Sequence, residues 1–468
     1  MSYRTGVGHA CRPDRRAVKD DTARRRRLAS LPAVHVLLGH PSLKALADET
    51  GHAGVTEAVR KTLADARAGL LRHPDAPSVD TETLVARVVG SLADGVTSLR
   101  PVVNASGILL HPAAPPPLAA EAVEAMRIAQ TSAVYNVEPH IREHLRVLTD
   151  AEDTLIVHTP QAGLYLIADA LGRGKEWVVS RAHLGAGPGA WSLPDVLGRC
   201  VGGLVEVGAT NKTHLTDYRR AVGPATGAIL VARPGVYALR GFVEEPALSD
   251  IACLGKETGV PVVFDAGHAP LTPDGPERRF ASLAEAVRDG AALTVVRGDG
   301  LAGGPASGLI AGQRAWIEML RNHPIYPMIK PSWPVLAGWE ATLRVLRARG
   351  PAGHPAGFWF GDSADTLHAR AERCVARLSV LLVASAIFSV LPHTAYPTVS
   401  RLPGEAFPSA AVAARPVSGD AHAVVAALFR RNTALLAVVE EGRVIFDFRG
   451  VDATGEEAIF QAVREMVG

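Results

Sequence analysis

The sequence predicts an α/β protein: a large domain built on a mostly parallel sheet, a helical N-terminal domain before it and a small α+β domain after it. Three observations carry this expectation. From about residue 101, the β-rich runs "EWVVSRA", "GLVEVG", "GAILVARPG", "VPVVFDAG", "ALTVVRG" and "SGLIAG" alternate with helical stretches such as "LSDIACLGKETG" and "SLAEAVRDG". Near-continuous apolar strands alternating with helices imply a sheet covered on both faces. Upstream, "VTEAVRKTLADARAGLL" and "TETLVARVVGSLADGV" repeat apolar positions every three to four residues, the helical period. Near the C-terminus, "ALLAVVEEGRVIFDFRG" places an "EEG" turn between two β-rich runs, a hairpin signal.

In chain order the expected parts are a basic tail without fixed structure at 1–27, a helical domain at 28–100, a large α/β domain at 101–350 and a small α+β domain at 351–468. "HPDAPSVD" separates the two N-terminal helices, and its last residue suits a helix start. The proline cluster "HPAAPPPLA" suits a rigid extended turn. After a long helix near 333–349, the Pro/Gly stretch "RGPAGHPAG" suits a hinge. A helix at 364–384, strands, a helix at 420–430, the hairpin and a closing helix complete the chain. The longest apolar run, "LSVLLVASAIFSVL", is interrupted by serines and falls short of the ~20 residues of a membrane span. It reads as a buried helix followed by a strand.

Composition is that of a globular protein: 468 residues, 47% hydrophobic, 21% charged, formal net charge +2. Nothing global argues for a membrane or nucleic-acid partner, and DNA is not expected. Cys11, Cys200, Cys253 and Cys374 are scattered without CxxC spacing, which points to a reducing cytoplasm and away from disulfide or cysteine-zinc frameworks. The arginine-rich "HACRPDRRAVKDDTARRRRLASLP" has no apolar stretch behind it and does not read as a signal peptide. It suits an unstructured tail, an over-long start, or a contact with a polyanion such as tRNA. "GAGPGA" lacks the Gly-Lys-Ser/Thr of a phosphate-binding loop, and no GxSxG or HExxH occurs.

Open α/β sheets bind ligands beyond the carboxyl ends of their strands. That singles out Arg181, Arg233, Asp265 and the loop 297–304. Asp265, followed by Gly267 and His268, could hold a positive or hydrogen-bonding ligand nitrogen, or could serve a turn. For His268 alone a structural role is the simpler reading. In "VGATNKTHLTDY", Thr213 as helix cap and Asp217 in the first turn suffice without chemistry.

Taken together, "RRRLASLPAVHVLL", "LRPVVNASGILLH", "VEVGATNKTHLTDY", "GFVEEPALSDI", "GDGLAGGPASGLIAG", "LPGEAFPSAAVAARP" and "EEGRVIFDFRGV" resemble the bacterial selenocysteine synthase family, the L-seryl-tRNA(Sec) selenium transferases. The resemblance spans nearly the whole chain. It implies the fold type I pyridoxal 5'-phosphate (PLP) transferase-like architecture, an N-terminal domain that grips tRNA, and a homo-oligomer. It implies a reaction in which seryl-tRNA loses water on PLP and then gains selenium from selenophosphate. That chemistry needs a lysine holding PLP as a Schiff base and a carboxylate on the pyridinium nitrogen. Asp265 matches the carboxylate, and Arg181, Thr210, Asn211 and Asp217 keep the family's residues. The lysine position is Gly300, so no catalytic residue is assigned. The cofactor-binding candidates are Asp265, His268, Arg181, Thr159, Gln161, Arg297, Gly303 and Gly304. No metal is expected.

Other departures cluster around the same site. The family's Asn-Asn-Asn becomes "HTP" at 158–160, and its Thr-Asn-Leu-Gly-Arg becomes "PAAPPP". The basic Thr-Gly-Lys-Arg-Gly-Ser-Arg loop becomes "TSAVYNVEP", the Arg-x-Asp-Lys stretch becomes "KPSW", and Arg297 replaces a small serine. Of the remaining lysines, Lys330 is the nearest candidate to replace the lost one. The expectation is a degenerate, non-catalytic binding or regulatory paralogue, possible partners being tRNA and a lysine-bearing paralogue. Covalent PLP is doubtful on this reading. Its pocket would take a small anion or a nucleotide-like ligand through Arg181, Arg233 or Arg297, and Gly300→Lys would be sterically tolerated. The alternative is an active selenium transferase or a related PLP-dependent lyase or transferase.

Overall fold

The computed structural model describes residues 28, 30–72, 80–95, 99–133, 136–185, 192–233, 239, 241–274, 280–381, 386–399, 406–417 and 419–467. The basic tail 1–27 and most of "GAGPGA" lie outside the described residues. The chain forms two compact units, Met1–Pro101 and Val102–Gly468.

The first unit is helical: Val34–Leu38, Pro41–Thr50, His52–Arg72 and Thr81–Gly95. Asp80 accepts the Thr83 N–H at 2.7 Å and so starts the last of these helices, as "HPDAPSVD" predicts. The apolar stripes meet in a small core around Leu37, Leu43, Val55, Val59, Leu84 and Val88. Each such fully buried side chain contributes about 1.5–3 kcal/mol.

The second unit opens with β1 (Val102–Asn104), then β2 (Asp153–Val157), β3 (Glu176–Ser180), β4 (Gly203–Val207), β5 (Thr226–Ala232), β6 (Val262–Gly267), β7 (Leu293–Arg297) and β8 (Gly308–Gly312). Seven of these form one sheet in the order β2-β8-β7-β6-β5-β3-β4. Only β8 runs against the others, being antiparallel to both β7 and β2. Helices Pro160–Gly172, Leu248–Thr258 and Leu283–Arg288 connect consecutive strands. Alternate residues serve opposite faces. Val263 and Leu230 join one core with Trp177, while Val262 and Ile229 join another with Val178 and Ile251. Burial of both faces is why these strands read as unbroken apolar runs.

The remaining strands are β9 (Ala386–Ala395), β10 (Phe407–Pro416), β11 (Ala434–Leu436), β12 (Val438–Glu440) and β13 (Arg443–Asp447). Four make an antiparallel sheet in the order β12-β13-β10-β9. The hairpin turn places Glu441 (φ 48°) and Gly442 (φ 72°) in left-handed backbone, the geometry of a tight two-residue turn. β1 pairs in parallel with β11, so residues 102–104 are held by 434–436. No local periodicity encodes that pairing. One cap differs from expectation: His214, not Thr213, precedes the helix Leu215–Ala221, and Asp217 accepts the His214 N–H at 2.8 Å. Thr213 is instead buried, with its hydroxyl 2.7 Å from that of Ser180.

Candidate functional site

The carboxyl ends of β6 and β7 lie side by side, and each carries a polar group into the same region. Asp265 pairs with Val295 and Gly267 with Val296 in the register of the two strands. Asp265 Oδ1 accepts the Gly267 N–H at 3.1 Å, and among the described residues no basic side chain pairs with this carboxylate. Burial pushes its pKa up to about 6, against the opposing pull of that one N–H. His268 is pushed down to about 4 by burial, reinforced by the charge of Arg297 and opposed by Asp299. It is therefore neutral at pH 7. Its Nδ1 is buried without a hydrogen-bond partner. Both residues are half-buried, and His268 Nδ1 itself is sealed from solvent.

Gly300 opens a short 3₁₀ turn directly after β7, with φ +74°. A β-carbon there would lie 2.8 Å from Leu110 Cδ2 and 3.5 Å from His268 Nδ1. Leu110 is only 7% exposed and belongs to an apolar cluster with Leu109, Phe280, Leu301, Trp359 and Phe407. A β-carbon at 300 would thus push aside the end of the Leu110 side chain, and left-handed backbone costs an L-residue roughly 1–2 kcal/mol. The expectation that lysine would be tolerated at 300 is corrected by the backbone: φ +74° strains any L-residue there, whereas the Leu110 contact asks only a side-chain end to move.

The surviving glycines have structural work of their own. Gly303 adopts φ +78°, and a β-carbon on Gly304 would approach the Trp339 ring to 2.6 Å. Trp339 Nε1 donates to Ser307 Oγ at 2.8 Å, locking the loop to the long helix Trp333–Arg349. These residues shape a turn whether or not a ligand is present.

The arginines do not converge on an anion. Arg297 forms a two-point ion pair with Asp299, Nε to Oδ1 at 2.6 Å and Nη2 to Oδ2 at 2.9 Å. Arg181 pairs with Glu206 of β4 at 3.2 Å and donates to the Gly208 carbonyl. Because β5 and β3 follow β6 in the sheet, Arg181 lies strands away from Asp265. The Arg233 guanidinium stands 5.8 Å from the Phe280 ring centroid, and the backbone N–H of Arg233 donates to the Asp265 backbone carbonyl at 2.9 Å. Two of the three guanidinium groups expected to bind an anion are therefore committed to carboxylates.

Thr159 caps the helix Pro160–Gly172, its hydroxyl accepting the Ala162 N–H at 3.1 Å. Pro160 has no N–H to offer a ligand, and Gln161 is half-buried in the first turn. Lys330 is bound to Glu138 and lies 5.5 Å from the Trp333 ring centroid, so its amine is occupied. Asn211 donates to the Phe242 carbonyl at 2.8 Å, giving the "GATNK" turn a structural explanation. Thr210, also in this turn, is exposed.

Two features escaped the sequence. Leu110 sits in an apolar run and carries no chemical signal. His183, buried after β3, accepts the Ala232 N–H at Nδ1 (3.3 Å) and so presents Nε2–H to Glu245 at 3.2 Å. That hydrogen bond holds the Glu245 carboxyl below the usual carboxylate range. The signal for His183 was its place at a strand end beside Arg181.

The match to known proteins covers both units. A family model described as L-seryl-tRNA selenium transferase matches residues 102–452, and one described as selenocysteine synthase N terminal matches residues 28–67. The L-seryl-tRNA(Sec) selenium transferase of Moorella thermoacetica is 32% identical over 461 residues, covering 94% of this chain and 97% of the relative. That of Rhizobium meliloti is 31% identical over 441 residues, covering 90% and 94%. Among solved structures, a D-glucosaminate-6-phosphate ammonia-lyase superposes with TM-score 0.58 at 19% identity, over 80% of this chain and 98% of that one. That likeness concerns the fold, which is the fold type I PLP-transferase architecture expected from the sequence. With its two units matched in order and its length shared with these relatives, the chain belongs to the L-seryl-tRNA(Sec) selenium transferase family.

Proposed function

We propose that this chain is a family member without lysine-dependent selenium transfer, acting as a non-catalytic binding or regulatory paralogue. The family's chemistry implies PLP, which supplies an electron sink when a lysine anchors it. The residues present do not fit that anchor. Gly300 has no amine, and its β-carbon direction is filled by Leu110. Lys330 is held by Glu138. The observation that carries the reading is Gly300 itself: no amine stands there, and its left-handed backbone (φ +74°) is one that an L-lysine rarely adopts.

Neighbouring features support the same reading. Pro160 removes a backbone donor from the helix start, and Thr159 spends its hydroxyl on the cap. On this reading the partners are a second copy of the chain, tRNA or a lysine-bearing paralogue. Cytoplasmic location belongs to the proposal too. Among the described residues no helix is long and apolar enough to cross a membrane.

The second reading is an active L-seryl-tRNA(Sec) selenium transferase or a related PLP-dependent enzyme. The relatives matched over nine-tenths of the chain carry that activity in their names, which favours it. Complementation of a bacterial strain lacking selenocysteine synthase separates the two. The proposal expects no selenoprotein synthesis from this chain alone, and restored synthesis overturns it.

A further inference from the structure

The edge of the large sheet holds a small cleft that the proposed function does not use. β2 stands at that edge, beside β8. In an antiparallel ladder the peptide groups of a strand alternate between its two sides. β8 turns its odd-numbered residues to β7: the Gln313 N–H donates to Ala292, and Ser307 accepts from the Gly298 N–H. Its even-numbered residues therefore bond β2 at Asp153, Leu155 and Val157, which leaves the peptide groups of Thr154 and Ile156 facing away from the sheet. Thr154 is satisfied there: its N–H donates to the Asp153 carboxylate and its carbonyl accepts from Arg321. His158, next on that side, donates its N–H to the Ile329 carbonyl at 2.8 Å. Ile156 lies between them and is 5% exposed, and among the described residues neither its N–H nor its carbonyl has a partner. A buried peptide group left in that state is rare and calls for a guest.

Ile156 lines a cleft of about 20 Å³, together with Glu138, Arg142, Thr154, Arg321 and Tyr326. Thr154 has a buried hydroxyl without a partner, and the Tyr326 phenol makes no hydrogen bond among the described residues. Burial and the nearby Glu138 charge push the Tyr326 pKa up, so the phenol keeps its proton to donate. Arg142 gives Asp153 only Nε and Nη2, and Arg321 gives Asp153 and the Thr154 carbonyl only Nη2. Both guanidinium groups therefore keep further N–H donors. Three cations, Arg142, Arg321 and Lys330, face two carboxylates, Asp153 and Glu138, so this cluster carries one positive charge in excess.

We propose that the cleft binds one halide ion, chloride, between the Tyr326 hydroxyl, the Ile156 N–H and the two arginines. A space of roughly 10–15 Å³ already holds one water-sized particle. The cleft thus admits one such guest and is too small for sulfate or phosphate. Water fits by size, but it must donate as well as accept. This cleft is rich in donors, its Glu138 carboxylate is taken by Lys330, and its excess charge favours an anion. The ion would tie edge strand β2 to the segments that carry Arg321 and Tyr326.

The test is thermal unfolding of the full-length protein in sodium gluconate, chloride or bromide at one ionic strength of ~0.15 M, where general screening is equal. Exchanging the salt shifts any protein's Tm somewhat, and Tyr326→Phe, which loses one hydroxyl and keeps the ring, reports that general shift. Relative to Tyr326→Phe, the natural protein should gain about 2 °C on going from gluconate to chloride or bromide, rising with halide concentration along a single-site curve. A crystal grown in bromide gives a second readout that needs no variant: an anomalous peak in the cleft, in contact with Tyr326 Oη and the Ile156 nitrogen. The same salt response in both proteins, or a cleft holding only water in the bromide crystal, would overturn the inference. The site does not depend on the lysine's absence, so complementation that overturned the proposed function would leave it standing.

Discussion

Two buried aspartates in one sheet were given opposite surroundings. Asp153 begins β2, is 1% exposed, and accepts from Arg142 at 2.8 Å through both oxygens, from Arg321 at 3.0 Å and from the Thr154 N–H at 2.8 Å. Burial alone would raise its pKa, yet these donors together hold the carboxyl below its ordinary range. Asp265 near the end of β6 has one N–H, and burial wins. Two histidines repeat the contrast. His393 sits 2.6 Å from Asp447 and 3.4 Å from Glu440, which raise its pKa against the effect of burial, whereas His268 Nδ1 has no partner. A folded chain pairs the buried charges it uses as struts. Asp265 and His268, without a counter-charge, lie at the carboxyl end of β6, the end where open α/β sheets bind ligands.

The contrast can be broken most forcefully at the strut. Asp153→Ala strands two arginines and should cost about 3–5 kcal/mol, read as a lower urea midpoint. A loss under about 1 kcal/mol would mean the network is not structural. Next in size is Gly300→Lys, which should destabilise by about 2–4 kcal/mol through left-handed backbone and overpacking against Leu110, with no gain of seryl-tRNA turnover. Pairing it with Leu110→Ala should cost clearly less than the two single changes summed. Additive losses would show that Leu110 is not the obstacle.

A smaller effect of opposite sign is expected at Asp265, near the end of β6. Because the folded state raises the Asp265 pKa to about 6, its contribution to stability is fully present below the unfolded value of ~3.9 and is lost as pH rises through about 6. Asp265→Asn keeps an acceptor for Gly267 and should stabilise the protein by about 1–2 kcal/mol at pH 7, with no gain below pH ~4. Thermal melts across that range decide it, and destabilisation at pH 7 would place Asp265 among the struts. The smallest effect belongs to His393, whose raised pKa makes its contribution present below ~6.5 and lost as pH rises through its folded value. His393→Gln should flatten that decline by about 1 kcal/mol or less, visible in urea midpoints between neutral and mildly alkaline pH.

Much of this site was legible before folding, because strand ends in parallel sheets are a topological address. Asp265, His268 and Gly300 follow from where "VPVVFDAG" and "ALTVVRG" end. Arg181 and Arg297 were legible as positions and misread as anion ligands, since their counter-charges come from Glu206, on a neighbouring strand, and Asp299, two residues along. Thr213 was misassigned as a cap because its partner, Ser180, comes from the neighbouring strand β3, thirty-three residues away in sequence.

By itself the amino-acid order determined the alternation of strands and helices, the family to which the chain belongs and the missing amine at residue 300. These are local or pattern properties, carried by period, turn chemistry and the presence or absence of a functional group. Only the tertiary structure decided that β1 joins β11, that Leu110 stands beside Gly300, and that His268 Nδ1 is buried there without a partner. Those facts depend on which side chains long-range packing brings within a few ångströms, and no local sequence pattern encodes that.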